Sequence, residues 1–440
     1  MSRPERIVHL GVGAFFRAHQ AWYTQHASDA ADWGIVGYTG RSAAVADELR
    51  PQGCRYHLIT RGESGDQIEL IESLVRVEDG AKVADLVATV ARPEIALVTL
   101  TITEAGFRVT PDFELDVRDP EVASDLLFLS GHEEGAPVTA MGRLALALNA
   151  RRLAGAGAIA IVPCDNMPAN GRVAKAALAG FGSVLGVDYQ RYLNHDVSFV
   201  TTSIDRITPK TTDAEKALVA DFAGWNDASP VVTEPFRDWV LEGDFPAGRP
   251  AWETSGARFV TEIEPFENRK LWLLNGSHSL LAYAGQNRGH QTVAEAIGDE
   301  YLLHRVEAFW DEACGILGAG EGAADLDLPG YRAALLERFR NGRIRHNLAQ
   351  IANDGATKLR VRVAPTAQAF LSAGSLPTSS AFAVGSWVKW IRGAANYVDS
   401  RSADIELAKS ATDPVHALVN IIGANLAENQ SFMDLVRAVQ

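Results

Sequence analysis

Apolar, β-branched runs alternate with helical stretches as far as Pro265 and then disappear, and this break constrains the fold more than any other feature of the 440-residue chain. The runs cover residues 6–10, 33–38, 94–103 and 158–163, with 197–207 and 258–263 reading as further strands. Helical patterns at 139–153 and 171–185 lie among them. Strands that are apolar almost throughout, with helices between, belong to a mainly parallel sheet covered on both faces, so the expected class is α/β. Beyond Pro265 the stretches 267–285, 293–317 and 331–340 carry helical patterns, punctuated by glycine and proline at 318–322 and 329–330. A chain of this length exceeds what one hydrophobic core usually serves. The expected division is an α/β domain over 1–265 and a mostly helical domain over 266–440, with the boundary near 262–268.

Composition narrows the function. The formal charge of −14 repels nucleic acid phosphates and anionic membranes, while leaving room for a local basic pocket that takes a small anion. Three cysteines, Cys54, Cys164 and Cys314, stand far apart, which argues against a disulfide framework and a cysteine-based zinc site. No secretory signal or membrane span is expected, and the cytoplasm is the expected compartment. The partner is then a small molecule, with no nucleic acid and no membrane.

The first strand runs into Gly11-Val12-Gly13. A glycine turn there lets a dinucleotide pyrophosphate approach the backbone, and an ordinary strand–helix turn has the same spelling. Phe16 stands where a third glycine is usual. The second strand ends Gly37-Tyr38-Thr39-Gly40-Arg41-Ser42, without the acidic residue that would hold a ribose diol. Arg41 either sits beside a 2′-phosphate or is a solvated arginine, so this loop leaves NAD and NADP both open.

The segment 270–279, KLWLLNGSHS, places a lysine, an amide and an imidazole in an apolar helical stretch. At α-helical spacing Asn275 falls about 140° and His278 about 80° from Lys270, which puts all three on one side. Burying such groups is costly without a purpose. One purpose is oxidation of a secondary alcohol: a lysine tuned to roughly pKa 7–8 takes the hydroxyl proton while hydride leaves. Amide donors then steady the alkoxide. Asn275 is one such donor, and Asn166, in the 163–171 segment PCDNMPANG at a strand end, is a second. A hydrogen-bonded domain-start helix and a turn-forming asparagine explain the same residues equally well.

Eight blocks, in order along the chain, resemble the mannitol dehydrogenase family of polyol-specific long-chain dehydrogenases: GVGAFFRAHQ (11–20), TITEAGF (101–107), PCDNMPANG (163–171), SIDRITPKTT (203–212), EPFRDWV (234–240), FPAGRPAWE (245–253), KLWLLNGSHSLLAYAG (270–285) and NDGATK (353–358). The resemblance implies an N-terminal Rossmann-type dinucleotide-binding domain, a mostly α-helical C-terminal domain and a zinc-free mechanism. It implies Lys270 as general base and Asn166 and Asn275 as an oxyanion hole. Asp205, His278 and Lys358 would contact substrate. Gly11, Gly13 and Phe15 would cradle the dinucleotide, with Glu104 near its nicotinamide end. Arg17 and His19 share the first block without an assigned contact, and Arg338, Arg345 and His346 also remain without a role.

The expected activity is metal-independent, NAD-dependent interconversion of a polyol and its ketose, of the mannitol–fructose type. Fructuronate reduction to mannonate and mannitol 1-phosphate oxidation are the alternatives within the class. A non-catalytic cofactor- or sugar-binding regulator is the alternative outside it, against which an intact Lys270, Asn275 and Asn166 argue. Lys358 is the only cation besides Lys270 in the matched blocks placed to reach a substrate, so a neutral hexitol or pentitol is expected to outrank mannonate.

Overall fold

The structure is a computed structural model describing residues 3–320, 322–394 and 396–440. It divides into two compact units, Met1–Ile263 and Glu264–Gln440.

The first unit is built on a six-stranded sheet. Its strands are β1 (Glu5–Leu10), β2 (Gly34–Tyr38), β3 (Leu74–Glu78), β4 (Leu97–Leu100), β5 (Ile159–Pro163) and β6 (Val197–Phe199). They lie in the order β3-β2-β1-β4-β5-β6, and every neighbouring pair is parallel. This is the doubly wound dinucleotide-binding order, whose strand sequence reverses between β1 and β4. Two apolar clusters cover the opposite faces. One gathers Ile7, Phe16, Ile35 and Leu97, the other Val8, Val36, Leu144 and Ile161. Successive residues of a strand point to opposite faces, so a sheet buried on both sides must be apolar throughout. That is why the runs holding β1, β2, β4 and β5 and the start of the run holding β6 were legible, whereas the edge strand β3, which carries Arg76 and Glu78, was not.

The strands Leu74–Glu78, Val231–Thr233 and Asp238–Glu242 were not anticipated, and two further features depart from the sequence expectation. The run 197–207 is not one strand. It ends in the main sheet at Phe199 and resumes as Thr201–Asp205, antiparallel to Asp238–Glu242 in a separate three-stranded sheet. The break coincides with close packing at Val200: a Cβ on Gly171 would lie 2.8 Å from the Val200 carbonyl carbon, and one on Gly243 would lie 3.1 Å from the Val200 Cα. Only glycines let two other segments press on the chain there. The second departure is a hairpin, Tyr56–Gly62 with Gly65–Ile71, paired in register from Tyr56↔Ile71 to Gly62↔Gly65. It was not anticipated, although two glycines bracket its Glu63-Ser64 turn.

The second unit contains helices and no strand among its described residues, only an isolated bridge between Thr292 and Asn347. Among the described residues no helix is long and apolar enough to cross a membrane.

Candidate active site

In the first unit, the residues singled out by sequence gather at the carboxyl ends of neighbouring strands. Gly11 and Gly13 follow β1, Glu104 follows β4 and Asn166 follows β5. Gly11 has φ +102°, and a Cβ on it would lie 2.2 Å from the Thr101 carbonyl oxygen. Its glycine is therefore dictated by backbone geometry. Gly13 is different: a Cβ there would meet nothing nearer than the Gly11 oxygen at 3.8 Å. The space beside Gly13 is the kind of cradle that a dinucleotide phosphate needs, so the turn fits the cofactor.

Phe16, at the position of the missing third glycine, is buried and stacks on His9 with ring centroids 3.6 Å apart. His9 Nε2 is 3.1 Å from the Gly11 carbonyl and Nδ1 is 2.7 Å from the Thr99 hydroxyl. A carbonyl only accepts, so Nε2 carries the proton and Nδ1 accepts from Thr99. Burial pushes the imidazole down to about 3, despite the opposing bond to Gly11, and it stays neutral. A ring stack here supplies the helix–strand contact that a third glycine makes by close approach. His9 was missed from sequence; a histidine inside an otherwise apolar strand was the available signal.

Arg17 and His19 also acquire positions. Arg17 is buried, donates to Ser229 Oγ at 2.9 Å and lies over the Tyr56 ring, whose hydroxyl donates to the Arg17 carbonyl. It binds the helix after the glycine turn to the rest of the unit. His19 stacks on Phe15 at 4.9 Å and so orients the aromatic expected at the cofactor.

Asn166 is exposed, on a loop held at both ends. Met167 N–H donates to Asp165 Oδ1 at 2.8 Å. Fully buried Asn170 clamps Thr202, donating to its carbonyl at 3.1 Å and accepting from its N–H at 2.9 Å. This clamp brings the Asn166 loop onto the strand that ends in Asp205, also a predicted site residue. Asn170→Ala would strand buried backbone groups of Thr202. It is expected to cost about 2 kcal/mol, or roughly 4–8 °C in the melting temperature. A melt shifted by less than 1 °C would show that the clamp does not hold the loop.

The second unit holds the lysine helix, and its geometry is not the α-helix assumed from spacing. Glu264–Arg269 is α-helical, Lys270–Asn275 is a π-helix, and α-helix resumes over Gly276–Asn287. Gly276 N–H donates five residues back, to the Leu271 carbonyl. With i→i+5 bonding, residues five apart stack on one face, so Lys270 and Asn275 come closer in azimuth than α-helical spacing allows. His278 follows one α-turn on. Carbonyls displaced from the α pattern find partners elsewhere: Trp310 Nε1 donates to the Leu273 carbonyl at 2.9 Å and Ser277 Oγ to the same oxygen at 2.5 Å. Arg362 Nη1 lies 3.4 Å from the Asn275 carbonyl. Gly276 is required, since a Cβ would come within 2.6 Å of the Phe309 ring.

His278 is buried, 5.1 Å from the Phe339 ring and 4.9 Å from that of His346. Burial holds it well below the usual imidazole range, and His346, Arg338, Arg362 and Lys358 push the same way. It is neutral, with one nitrogen to donate and one to accept. Lys358, half-buried, donates to the Ile351 carbonyl at 3.0 Å. Its pKa is lowered by burial and by Arg362, against Asp354 and Asp399. Arg362 was missed from sequence, although it stands four residues after Lys358 on one helix. Arg345 is exposed, and no contact recommends it.

Both halves of the chain match models of known domains: residues 5–254 the mannitol dehydrogenase Rossmann domain and residues 262–439 the mannitol dehydrogenase C-terminal domain. D-mannonate oxidoreductase of Escherichia coli (strain K12) is 34% identical over 458 residues, covering 98% of this chain and 92% of the relative. The crystal structure of a D-sorbitol dehydrogenase in substrate-free form superposes with a TM-score of 0.89 at 29% identity, covering 100% of this chain and 92% of that one. Pseudomonas fluorescens mannitol 2-dehydrogenase, in a ternary complex with NAD and D-mannitol, gives a TM-score of 0.78 at 31% identity over 100% of this chain and 91% of its own.

Proposed function

The chain belongs to the mannitol dehydrogenase family, and on that premise we propose that it oxidises one secondary hydroxyl of a polyol or sugar acid to a ketone, reversibly, with Lys270 as the general base. The observation that carries this reading is the π-turn, which aligns Lys270 with Asn275 and sets a neutral His278 one turn further on. Wide turns of this kind cost helical regularity and recur at functional sites.

Gly11, Gly13 and Phe15 hold the dinucleotide, and NAD is the expected form. When bound, the cofactor supplies the acceptor for the hydride leaving the carbinol carbon. The Lys270 amine takes the hydroxyl proton, and the carbon–oxygen double bond forms as the electron pair of the C–H bond departs. The amide N–H groups of Asn275 and Asn166 steady the alkoxide on the way. Asp205 accepts from neighbouring sugar hydroxyls, while neutral His278 donates to one oxygen. Glu104, exposed on the turn after β4, offers the proton an exit.

The test is reduction of NAD and of NADP, followed by absorbance, with mannitol, arabinitol and mannonate. Turnover of none of them would overturn the proposal. Activity is further expected to survive exhaustive chelation, because a lysine base needs no Lewis acid. Among the described residues no three His, Cys, Asp or Glu side chains gather as a metal would require. Complete loss with EDTA, restored by zinc or manganese, would replace the lysine mechanism with a metal-assisted one.

A further inference from the structure

We infer that His9 is a positioning residue of the dinucleotide turn: by holding the Gly11 carbonyl it aims the Val12 N–H at a cofactor phosphate. This deepens the proposal above and rests on its reading of Gly11 and Gly13 as the turn that holds the dinucleotide.

His9 stands in β1 directly opposite Thr99 of β4, and these are the strands between which the sheet order reverses. Its ring is held on three sides. Phe16 stacks on its face, and the Thr99 hydroxyl donates to Nδ1 at 2.7 Å. Nε2 donates to the Gly11 carbonyl at 3.1 Å, and Thr101 Oγ shares that proton at 3.1 Å. The ring is fully buried, so water cannot stand in for any of these bonds. An apolar side chain would fill the same space without the cost of burying a polar ring. What the imidazole adds is an acceptor at one end and a donor at the other, enough to reach from the neighbouring strand to the turn.

The consequence lies in the next peptide. The Gly11 carbonyl also accepts from the Gly13 N–H at 2.7 Å, so two donors hold that oxygen and the Gly13 N–H is engaged within the turn. A trans peptide is planar, with its C=O and N–H pointing in opposite directions. Fixing the Gly11 oxygen therefore fixes the Val12 N–H, facing away from His9. The Val12 side chain is committed as well: it packs on β2, where a Cβ on Gly37 would come within 2.5 Å of Val12 Cγ2. Among the described residues no backbone carbonyl accepts from the Val12 N–H. A backbone donor of set direction, next to the open space beside Gly13, is what a pyrophosphate oxygen binds at turns of this kind. Without His9, one bond from within the same turn would hold the Gly11 oxygen, and the peptide would be free to tilt.

The experiment is fluorescence titration of NADH, and calorimetric titration of ADP-ribose, into the parent protein, His9→Phe, His9→Gln and Thr99→Val, with each protein also melted. His9→Phe keeps a ring against Phe16 and deletes both hydrogen bonds. His9→Gln gives up the stack but carries an amide N–H to the place of Nε2. Thr99→Val changes little in shape, removes the donor that fixes the imidazole tautomer, and keeps the test readable should His9→Phe not fold. His9→Phe is expected to bind both ligands about tenfold more weakly, the scale of one lost hydrogen bond, and Thr99→Val about threefold. His9→Gln should recover most of the affinity while melting lower than His9→Phe. A merely structural histidine would instead make affinity follow melting temperature across the set, and that result would overturn the inference. So would His9→Phe and Thr99→Val binding NADH as the parent does, or a loss for NADH that ADP-ribose does not share. A parent that binds neither ligand would overturn the cofactor role of the turn itself, an outcome distinct from a binding parent with unaffected variants.

Discussion

Lys270→Ala is expected to lower alcohol oxidation about 10²–10⁴-fold, the usual loss when a general base is removed, equivalent to roughly 3–5 kcal/mol of barrier. The effect should fall on kcat with either cofactor and with every substrate the enzyme accepts, because the proton leaves in every turnover. Dinucleotide affinity should hardly move, since the glycine turn is carried by the first unit. A small primary amine added to the variant should restore part of the rate, whereas a merely structural lysine would show no such rescue. Lys270→Met separates the same alternatives at nearly constant volume. Near-normal turnover by both variants across the pH range would remove Lys270 from the mechanism. The π-turn adds a companion expectation. If its alignment matters, Trp310→Phe, which keeps the ring but deletes the donor to the Leu273 carbonyl, should slow turnover more than it lowers the melting temperature.

Much of the candidate site could be proposed from the sequence because the chemistry demands particular residue types in particular places. A Gly-x-Gly after a buried strand, asparagines at a strand end and in a helix, and a lysine in an apolar stretch each have few explanations. The residues that shape the site were harder to read because their causes are remote in the chain. The π-turn is secured by Trp310 and Arg362, which reach Leu273 and Asn275 across 37 and 87 residues. Spacing alone returned an α-helix. The split of 197–207 into two strands falls where Gly171 and Gly243 pack against Val200 from other segments, which local pattern does not reveal. His9 looked like one polar residue in a strand until Phe16 stacked on it. Local pattern therefore recovered five of the six strands of the parallel sheet and missed its edge strand Leu74–Glu78, while long-range backbone satisfaction decided the azimuth of Lys270.

The two glycines of the turn make the second large prediction, and they should fail in opposite ways. Gly11→Ala must place a Cβ 2.2 Å from a backbone oxygen at φ +102°. The left-handed backbone alone costs an alanine about 1–2 kcal/mol. The clash adds to this, because Thr101 cannot retreat freely: its N–H is bonded to the Leu10 carbonyl at 2.9 Å. The melting temperature of Gly11→Ala should therefore fall by roughly 6 °C or more, whether or not dinucleotide is present. Gly13 has φ −104°, which any residue adopts, and open space beside it. Gly13→Ala should melt within about 2 °C of the parent, a surface-like change, yet bind NADH at least tenfold more weakly by fluorescence titration, because the new methyl occupies the proposed cradle. Ligand-induced stabilisation follows the same logic: NADH should raise the melting temperature of the parent and fail to do so for Gly13→Ala at the same concentration. A stable Gly11→Ala with intact affinity would show that the turn relaxes around the methyl. A Gly13→Ala protein that binds NADH as the parent does would place the dinucleotide away from Gly13 and withdraw the cofactor role given to this turn.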